Sequence, residues 1–458
     1  MRIIIWIVIL GVFLCCRKSS ITTNPKDALT FSTDTLSFDT VFSSVGSTTA
    51  YFKIINPHQK KLRISNILLA GGENSQFRLN IDGIPNYVQE DIEVAAMDSM
   101  YIFVEVTVDP NNDLNPFVIE DSVIFLTNGN TQKVILTAWG QNAYFYNGEI
   151  IGDTTWDNEK PHVIYNSILV DSGKTLEINA GAQLYFHSGS RLYVNGTLNV
   201  NGTLNEKVVF QGDRLEEFYD NKPGQWEGIH FLKGSVSNRI RHVQIKNSIV
   251  GIRVDSLPEN NDSSLVLRSC EVFNILSSGI IGITANVYAY NTLIYNIGQH
   301  AVQLEYGGNY FFEHCTFAAY SSSVISHKDP LLRMSNYFEA NNSIYASDFF
   351  QAQFENCILD GGLEDEIAID FYQDASLNYN YEMKSSLLKT KEHAQDSSFN
   401  ACLINENPEF VDLSNFDFHL GDLSPCIDAS QNGNISIDLD GKNRPIGNGF
   451  DLGCYEYE

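Results

Sequence analysis

Short pairs of apolar residues recur at regular intervals from about residue 176 onward. In each pair two apolar residues flank one other residue, and the next pair follows six to eight positions later, after Gly, Asn, Ser or Asp. A strand this short has two inward side chains and cannot bury a face alone, but successive turns of chain can stack on one another. The pattern therefore predicts a parallel β-helix. Its first pairs are Leu176/Ile178, Leu184/Phe186, Leu192/Val194, Leu198/Val200 and Val208/Phe210.

Within this region the hexamer VNGTLN occurs twice in succession, at residues 194–199 and 200–205. An Asn-Gly step can form the turn of a β-hairpin, which would need antiparallel strands on either side. The apolar pairs keep their spacing before and after the hexamers, so we expect the strands to turn corners of one coil instead. We also expect the Asn-Gly steps to supply left-handed backbone geometry at those corners.

A longer period follows, in which a polar residue and a small residue precede an apolar pair. The small residue is Val243, Cys270, Thr292 or Cys315, at steps of 27, 22 and 23 residues. This period fits one coil of three short strands, and about ten coils at about 4.8 Å each would form a rod on the order of 50 Å long. Residues 330–350 and 370–400 interrupt the period, and we expect them to be loops outside the coils.

The region before the β-helix has a different pattern. Six segments of five to ten β-prone residues, several of them alternating, are separated by turn-rich pieces such as NPHQKK and GGENS between about residues 30 and 146. This spacing predicts a β-sandwich, and the absence of a Cys–Trp–Cys framework excludes an antibody-type domain.

The N-terminus has the layout of an export signal. Arg2 precedes the apolar run IIIWIVILGVFL, which is too short to span a bilayer comfortably, and Cys15 and Cys16 follow it. This layout resembles a bacterial lipoprotein signal, and the resemblance implies cleavage of the signal (residues 1–16) before a lipid-bearing Cys16. Residues 17–29 would then be a polar tether. The alternative is an ordinary export signal with two incidental thiols.

Longer segments resemble known exported proteins. TLSFDTVFSSVGS, LLAGGENSQFRLNIDG and VEVTVDPNNDLNPFVIEDSVIFLTNGN resemble the immunoglobulin-like N-terminal module of Bacteroidetes surface lipoproteins. AGAQLYFHSGSRLYVNGTLNVNGTLNEKVVFQG with GQWEGIHF resembles the opening coils of secreted right-handed parallel β-helix proteins, and the tail from SPCIDAS to the C-terminus resembles their terminal segment. The expected fold is all-β: an immunoglobulin-like sandwich (30–146), a right-handed parallel β-helix (148–404), and a C-terminal segment that completes or caps it (405–458).

Charge and cysteine content exclude several functions. The formal net charge of −27 and the lack of a basic cluster argue against nucleic acid as a partner. None of the six cysteines after the signal lies in a CxxC pair, so we expect no metal site and no cofactor. Cys270, Cys315 and Cys357 fit small buried residues. For Cys402, Cys426 and Cys454 the sequence leaves a disulfide and buried thiols both open.

The candidate chemistry consists of three loose groups, each with a simpler structural interpretation. The first group is a cluster of four acidic residues and is interpreted as a solvated loop. The second group, one glutamate and two histidines, is interpreted as a surface carboxylate and two structural histidines. The third group consists of four basic residues and is interpreted as solvated strand ends, with the alternative that they face an anionic polysaccharide. A fourth segment, DLDGKN (438–443), lacks the acidic twelfth position of a calcium loop and is interpreted as an Asp-Gly turn. The three groups are Glu364, Asp365, Glu366 and Asp370; Glu305, His314 and His327; and Arg239, Arg241, Lys246 and Arg253.

These observations favour an exported, lipid-anchored and non-catalytic outer-membrane lipoprotein that presents its β-helix to a glycan or an envelope protein. The first alternative is a polysaccharide lyase or glycoside hydrolase whose site lies in a groove of the β-helix near residues 330–400. The second alternative is a structural spacer of an envelope assembly. The β-helix fold itself does not separate the three, because it hosts unrelated activities. Catalytic and ligand-binding residues remain unassigned at this level.

Overall fold

The computed structural model describes residues 20–43, 46–109, 117–255, 263–347, 349–374 and 376–458. The chain divides between Asn142 and Ala143 into two compact units. Cys16, the predicted lipid-attachment residue, lies outside the described residues. Among those residues there is no helix with the length and apolar character needed to cross a membrane.

The first unit is a β-sandwich of two five-stranded sheets, with strand orders β1-β3-β8-β5-β6 and β2-β10-β9-β4-β7. Strand pairs within both sheets are antiparallel except β2 with β10. A short 3₁₀ helix, Gly72–Asn74, precedes β5. The strands are β1 (Thr30–Phe31), β2 (Thr35–Phe42), β3 (Ala50–Ile55), β4 (Leu62–Leu69), β5 (Phe77–Ile81), β6 (Ile84–Pro85), β7 (Val88–Val94), β8 (Ser99–Val106), β9 (Phe117–Thr127) and β10 (Asn130–Gln141).

Alternation along the strands builds the core of the sandwich. Phe52 and Ile54 of β3 are fully buried, as are Ile102 and Val104 of β8. The residues between them point outward, because successive side chains of a strand lie on opposite faces. Inward residues of the second sheet, including Phe125, complete the apolar layer.

The second unit is a parallel β-helix with three strands in each regular coil. One strand of each coil belongs to an 11-stranded parallel sheet, and the other two belong to a 17-stranded sheet. The strands of the first coils are β11 (Tyr144–Asn147), β12 (Ile150–Ile151), β13 (Thr154–Trp156), β14 (His162–Tyr165), β15 (Ile168–Val170), β16 (Thr175–Asn179), β17 (Gln183–Phe186), β18 (Arg191–Val194), β19 (Thr197–Asn201), β20 (Val208–Gly212), β21 (Gly228–Phe231), β22 (Asn238–Arg241), β23 (Val243–Lys246), β24 (Ile252–Asp255) and β25 (Leu265–Arg268).

The later coils contain longer strands, and β27 and β29 each run through both ladders of the 17-stranded sheet. Two short 3₁₀ helices, Glu217–Tyr219 and Leu413–Asn415, lie outside the sheets. These strands are β26 (Glu271–Ile275), β27 (Ile280–Tyr290), β28 (Leu293–Ile297), β29 (Val302–Glu313), β30 (Thr316–Ala319), β31 (Leu332–Ser335), β32 (Tyr337–Ala340), β33 (Ser343–Ala346), β34 (Phe349–Glu355), β35 (Ile358–Gly361), β36 (Ile367–Asp370), β37 (Asn378–Lys384), β38 (Leu387–Leu388), β39 (Phe399–Asn400), β40 (Leu403–Ile404), β41 (Phe410–Asp412) and β42 (Asp417–Leu420).

The apolar pairs are the interior of this β-helix. Both members of all five predicted pairs are fully buried, and they stack in register on neighbouring coils, as Leu176 does on Leu198 and Ile178 on Val200. The two copies of VNGTLN do not form a hairpin, since β18 pairs in parallel with β15 and β21, and β19 with β16 and β22. The predicted fold class is confirmed.

The predicted role of the Asn-Gly steps is wrong. Neither Gly196 nor Gly202 has a positive φ. A Cβ at Gly196 would lie 2.2 Å from the Lys174 carbonyl oxygen, and one at Gly202 would lie 2.2 Å from the His242 carbonyl oxygen. These glycines are required because the backbones of adjacent coils approach closely at the corner.

Left-handed geometry is supplied at another corner by residues other than glycine. It occurs at the polar position of the longer period, immediately before the small residue of each coil, where φ is 48–54° at His242, Ser269, Asn291, His314 and Asn356. The small residues that follow, among them Val243, Cys270, Thr292 and Cys315, are fully buried. A short side chain fits there because it lies against the carbonyl groups of the corner, to which the Cys270 thiol donates.

The prediction that residues 330–350 and 370–400 form loops is wrong in part. Strands β31, β37 and β38 lie within these segments and continue the coils, with Met334 and Met383 fully buried. The hairpin β32–β33 lies between β31 and β34, so it interrupts the period in the sequence while the stacking resumes after it.

The C-terminal segment lies on the outer face of the 11-stranded sheet. Phe418, Leu439 and Cys454 pack on Leu293 and Ala318. Leu420, Cys426 and Leu452 pack on Ile358 and Leu387 in a second cluster. Cys402, Cys426 and Cys454 are free thiols, as are the three buried cysteines of the coils.

Candidate functional site

A concave surface with three arginines lies on the outer face of the 17-stranded sheet. It crosses strands β16, β19, β22 and β25 and encloses a volume of about 580 Å³. We call it the arginine groove and define it by its polar lining residues, Glu177, Asn199, Asn201, Arg239, Arg241 and Arg268.

The parallel register brings these residues together. Arg239 lies beside Asn199 of the preceding coil, and Arg241 lies between Asn201 and Arg268. The alternating residues Ile240 and Leu267 face the apolar interior, so the side chains on either side of them must point outward. Sequence positions as distant as Glu177 and Arg268 thereby line one surface.

The carboxylate of the groove is engaged by amides and not by arginines. Asn199 Nδ2 donates to Glu177 Oε1 at 2.7 Å, and Asn201 Nδ2 donates to Oε2 at 3.1 Å. Among the described residues, Arg239 and Arg241 have no ion-pair or side-chain hydrogen-bond partner. Their guanidinium groups are exposed and able to bind carboxylate, sulfate or phosphate in the bidentate manner typical of arginine.

Aromatic side chains continue the same face on the next coils. The Arg268 guanidinium lies 4.4 Å from the centre of the Tyr290 ring, which is 5.8 Å from the ring of Phe311. Tyr288 lies beside Val266 on one side and Phe311 on the other. The rings of Tyr288, Tyr290 and Phe311 are all half-buried. This face of the sheet therefore carries arginine side chains on β22 and β25 and aromatic rings on β27 and β29.

A second cavity, of about 390 Å³, adjoins the arginine groove. Arg241 and Arg268 line both spaces, and residues 434–438 of the C-terminal segment form the opposite wall of the second one. Asn434 is fixed there because its backbone N–H donates to Glu313 at 2.7 Å. The C-terminal segment therefore extends the concave surface sideways from the sheet.

The predicted acidic cluster does not converge on one point. Glu364 is exposed and pairs with Lys391, whereas Asp365 accepts backbone hydrogen bonds from Lys391 and Glu392, and these bonds lower the pKa of Asp365. Asp370 accepts a hydrogen bond from the Tyr337 hydroxyl. The interpretation of the cluster as a solvated loop is wrong for Glu366, which is fully buried and 2.8 Å from His327 Nε2. Glu366 also accepts hydrogen bonds from the backbone N–H groups of Leu331 and Leu363, and these bonds hold the loop before β31 in place.

Glu305, His314 and His327 are likewise separate. Glu305 accepts a hydrogen bond from Gln303 and lies 3.8 Å from Arg333 on an open face of the sheet. His314 is buried at a coil corner, where burial and the neighbouring Arg444 lower its pKa to about 3. His327 belongs to the buried pair with Glu366. The structural interpretation of both histidines fits these surroundings.

Two of the four predicted basic residues line the arginine groove, Arg239 and Arg241. Arg253 is on the other ladder of the sheet, where it pairs with Asp255 at 2.9 Å. Lys246 is on the 11-stranded sheet, and burial lowers its pKa. The sequence interpretation did not include Arg268 or Glu177, although Arg268 is 27 residues after Arg241, which is also the step from Val243 to Cys270.

The DLDGKN segment is a turn built on Asp438. Its Oδ1 accepts the backbone N–H groups of Asp440 and Lys442, and its Oδ2 accepts that of Glu456. Within the ranges that the structure describes, no group of three His, Cys, Asp or Glu side chains is arranged to hold a metal ion.

No protein-family model matches this sequence, and no curated protein sequence matches it. Among solved structures, the catalytic domain of a GH87 α-1,3-glucanase in complex with nigerose is 9 % identical, with 78 % of this chain and 88 % of that chain covered and a TM-score of 0.22. A family 123 glycoside hydrolase from Clostridium perfringens is 6 % identical over 28 % of this chain and 30 % of that chain, with a TM-score of 0.20. PapD-like domain 7 of human CEP192 is 8 % identical over 28 % of this chain and 96 % of that chain, with a TM-score of 0.19. Likenesses at these TM-scores carry no inference about the activity of this chain.

Proposed function

We propose that this protein is an exported, lipid-anchored and non-catalytic component of the bacterial outer membrane that binds an acidic glycan in the arginine groove. One observation carries the choice of ligand: Arg239 and Arg241 have no carboxylate partner among the described residues, although the chain has 56 acidic and 29 basic residues. In a chain with this excess of acid, two unpaired arginines on the same face of one strand are suited to an external anion.

The geometry favours an extended anionic polymer over a small anion. The groove runs across strands of successive coils, which are about 4.8 Å apart, so a linear chain can contact several of them. Glycan stacking on Tyr290 and Phe311 would extend the contact beyond the arginines.

Glycan retention tests this proposal directly. The purified protein without residues 1–16 is run in native gels that contain alginate, pectate, heparin or chondroitin sulfate, with dextran as a neutral polysaccharide. We expect at least one acidic polymer to retard the protein, and the retardation to weaken as NaCl is raised, because exposed charges are screened.

Matched arginine variants connect retention to the groove. The double variant Arg239→Ala/Arg241→Ala should lose retention by the acidic polymer, while Arg253→Ala, which removes an arginine paired with Asp255, should keep most of it. Equal loss in all variants would reveal a general charge effect and would reject the groove as the site. Absence of retention by every acidic polymer would favour the structural spacer.

The same incubations separate binding from catalysis. Glu177 is the one carboxylate among the lining residues, and two amides engage it. Hydrolysis at a glycosidic bond ordinarily uses two carboxyl groups, one on each side of that bond. We therefore expect retention without new reducing or unsaturated ends, and the appearance of such ends would favour the lyase or hydrolase alternative.

A further inference from the structure

A platform of exposed aromatic rings lies on the sandwich unit. Strands β3 and β8 bury Phe52, Ile54, Ile102 and Val104 on one face, so the alternating residues face solvent. Those residues include Tyr51, Tyr101 and Phe103, which are 55 %, 41 % and 39 % exposed. Solvent-facing positions in the middle of a sheet ordinarily hold polar residues, and a contiguous apolar group there indicates an interaction site.

The three rings form one group. Tyr101 and Phe103 are stacked with centroids 6.0 Å apart, and Tyr51 of the neighbouring strand meets them edge-on at 5.2 Å and 6.0 Å. The register explains the arrangement, because Tyr51 pairs with Phe103 and Lys53 pairs with Tyr101. The Lys53 ammonium lies 4.7 Å from the centre of the Tyr101 ring.

Polar groups surround the rings. Thr49 donates to Glu105 at 2.6 Å on one side, and Asn80 lies beside Phe103 on the neighbouring strand β5. The Asn80 side-chain oxygen is buried and has no hydrogen-bond partner among the described residues. Lys53 and Glu105 carry opposite charges, and Arg78, which lies beside Glu105 on β5, donates its guanidinium hydrogen bonds to the backbone carbonyls of Ser75 and Phe77. This surface therefore lacks the unpaired arginines of the arginine groove.

We infer that this platform, defined by Tyr51, Lys53, Tyr101 and Phe103, is a second glycan-binding site and that it takes neutral sugars. A sugar ring presents an apolar C–H face that packs on the negative face of an aromatic ring, while its hydroxyl groups pair with nearby amide, hydroxyl and ammonium groups. The arginine groove is suited to the negatively charged groups of a glycan, whereas the platform is suited to the apolar face of a sugar ring. The inference does not depend on the arginine groove, since the residues of the groove belong to the second unit and those of the platform to the first.

The size of the platform argues for a glycan and against a protein partner. Residues two apart on a strand are separated by about 7 Å, and neighbouring strands by about 4.8 Å, so the rings cover about one or two sugar rings. A stable protein interface buries about 800 Å² on each partner. Three rings with a polar surround are too small an apolar area for that.

A neutral-glycan array with the full chain after residue 16 tests the inference. We expect at least one neutral oligosaccharide to bind, and Tyr101→Ala or Phe103→Ala to weaken its binding about tenfold, because stacking on an exposed ring is lost. Trp139→Ala is the matched control, because Trp139 is 50 % exposed on β10 of the opposite sheet. It should leave binding unchanged.

Three results would overturn the inference. They are the absence of any neutral ligand on the array, equal binding by the wild type and by Tyr101→Ala and Phe103→Ala, and self-association in analytical ultracentrifugation that Tyr51→Ala abolishes. The last result would make the platform an interface between copies of the chain. Failure of acidic-glycan retention alone would leave the platform unaffected, so the two sites fail separately.

Discussion

Arg444 is fully buried and joins the C-terminal segment to the coils. Its Nη1 lies 2.9 Å from Glu456 Oε1 and 2.9 Å from His314 Nδ1, and its Nη2 donates to the Gly453 carbonyl and to Asn291. The side chains of Arg444 and Glu456 are both 0 % exposed. A charge buried this completely is tolerated because each partner is hydrogen-bonded, and removal of one partner leaves the other uncompensated.

We therefore expect Arg444→Met to lower the stability of the β-helix unit by about 3–5 kcal/mol. Calorimetric or circular-dichroism melting measures the effect. Arg63→Met, which breaks an exposed pair with Glu93, should change stability by about 0.5 kcal/mol or less. The double variant Arg444→Met/Glu456→Gln should be more stable than Arg444→Met, since it no longer buries a lone carboxylate. If it is not, the buried charge is not the cause of the loss.

His419 gives the same segment a dependence on pH. Burial lowers the pKa of His419, but hydrogen bonds with Asp440 and Asp417 outweigh it, and the pKa is raised above the ordinary 6.5. Because the folded pKa is higher than the unfolded one, the stabilisation is complete below pH 6.5 and is lost as the pH rises through the folded value. Melting temperatures of the wild type and His419→Gln should therefore differ more at pH 5.5 than at pH 9. A difference that does not change with pH would contradict the ionic contribution.

At the scale of the coil, contact between neighbouring backbones limits which side chains a corner accepts. A Cβ at Gly196 would also lie 2.3 Å from the Asp171 carbonyl oxygen, closer than nonbonded atoms can approach. Gly152 has neither a positive φ nor an atom within 4 Å of the same position. The two glycines thus differ in the space around them, and neither has a positive φ.

Gly196→Ala should strongly destabilise the β-helix, by about 3 kcal/mol or more, because a corner of two packed coils must separate. Gly152→Ala should be tolerated. Gly196→Asn distinguishes the two explanations for this glycine: a requirement for left-handed geometry would make Asn milder than Ala, whereas a steric requirement makes Asn at least as harmful. Thermal melting of the three variants measures the order.

The sequence predicts the coils well because each apolar pair is a local signal repeated in every turn. It predicts the arginine groove in part: Arg239 and Arg241 are neighbours on one strand, and one coil period separates Arg241 from Arg268. Glu177 is not predictable in this way, since the long insertion between β20 and β21 breaks the period. The aromatic platform is also hidden, because β3 and β8 pair across four intervening strands, two of which belong to the other sheet.

At the scale of the whole molecule, attachment to a membrane would decide where both glycan sites operate. The described residues begin at Ser20, so the anchor remains a prediction from the layout of residues 1–16. An acyl chain contributes about 0.8 kcal/mol for each buried methylene, and stable attachment needs more than one chain. A Cys16 that carries more than one acyl chain would meet that need and hold the protein on a membrane.

The two adjacent cysteines of the signal allow a matched test of the anchor. Cys16→Ala should abolish incorporation of labelled palmitate and move the protein from the membrane fraction to the soluble fraction. Cys15→Ala should preserve both, because Ala is a usual residue before the cleavage site of the signal that this N-terminus resembles. Loss of labelling in Cys15→Ala alone would place the lipid on Cys15. Retention of labelling in both variants would reject an N-terminal acyl anchor, and the export signal would then release the protein without one.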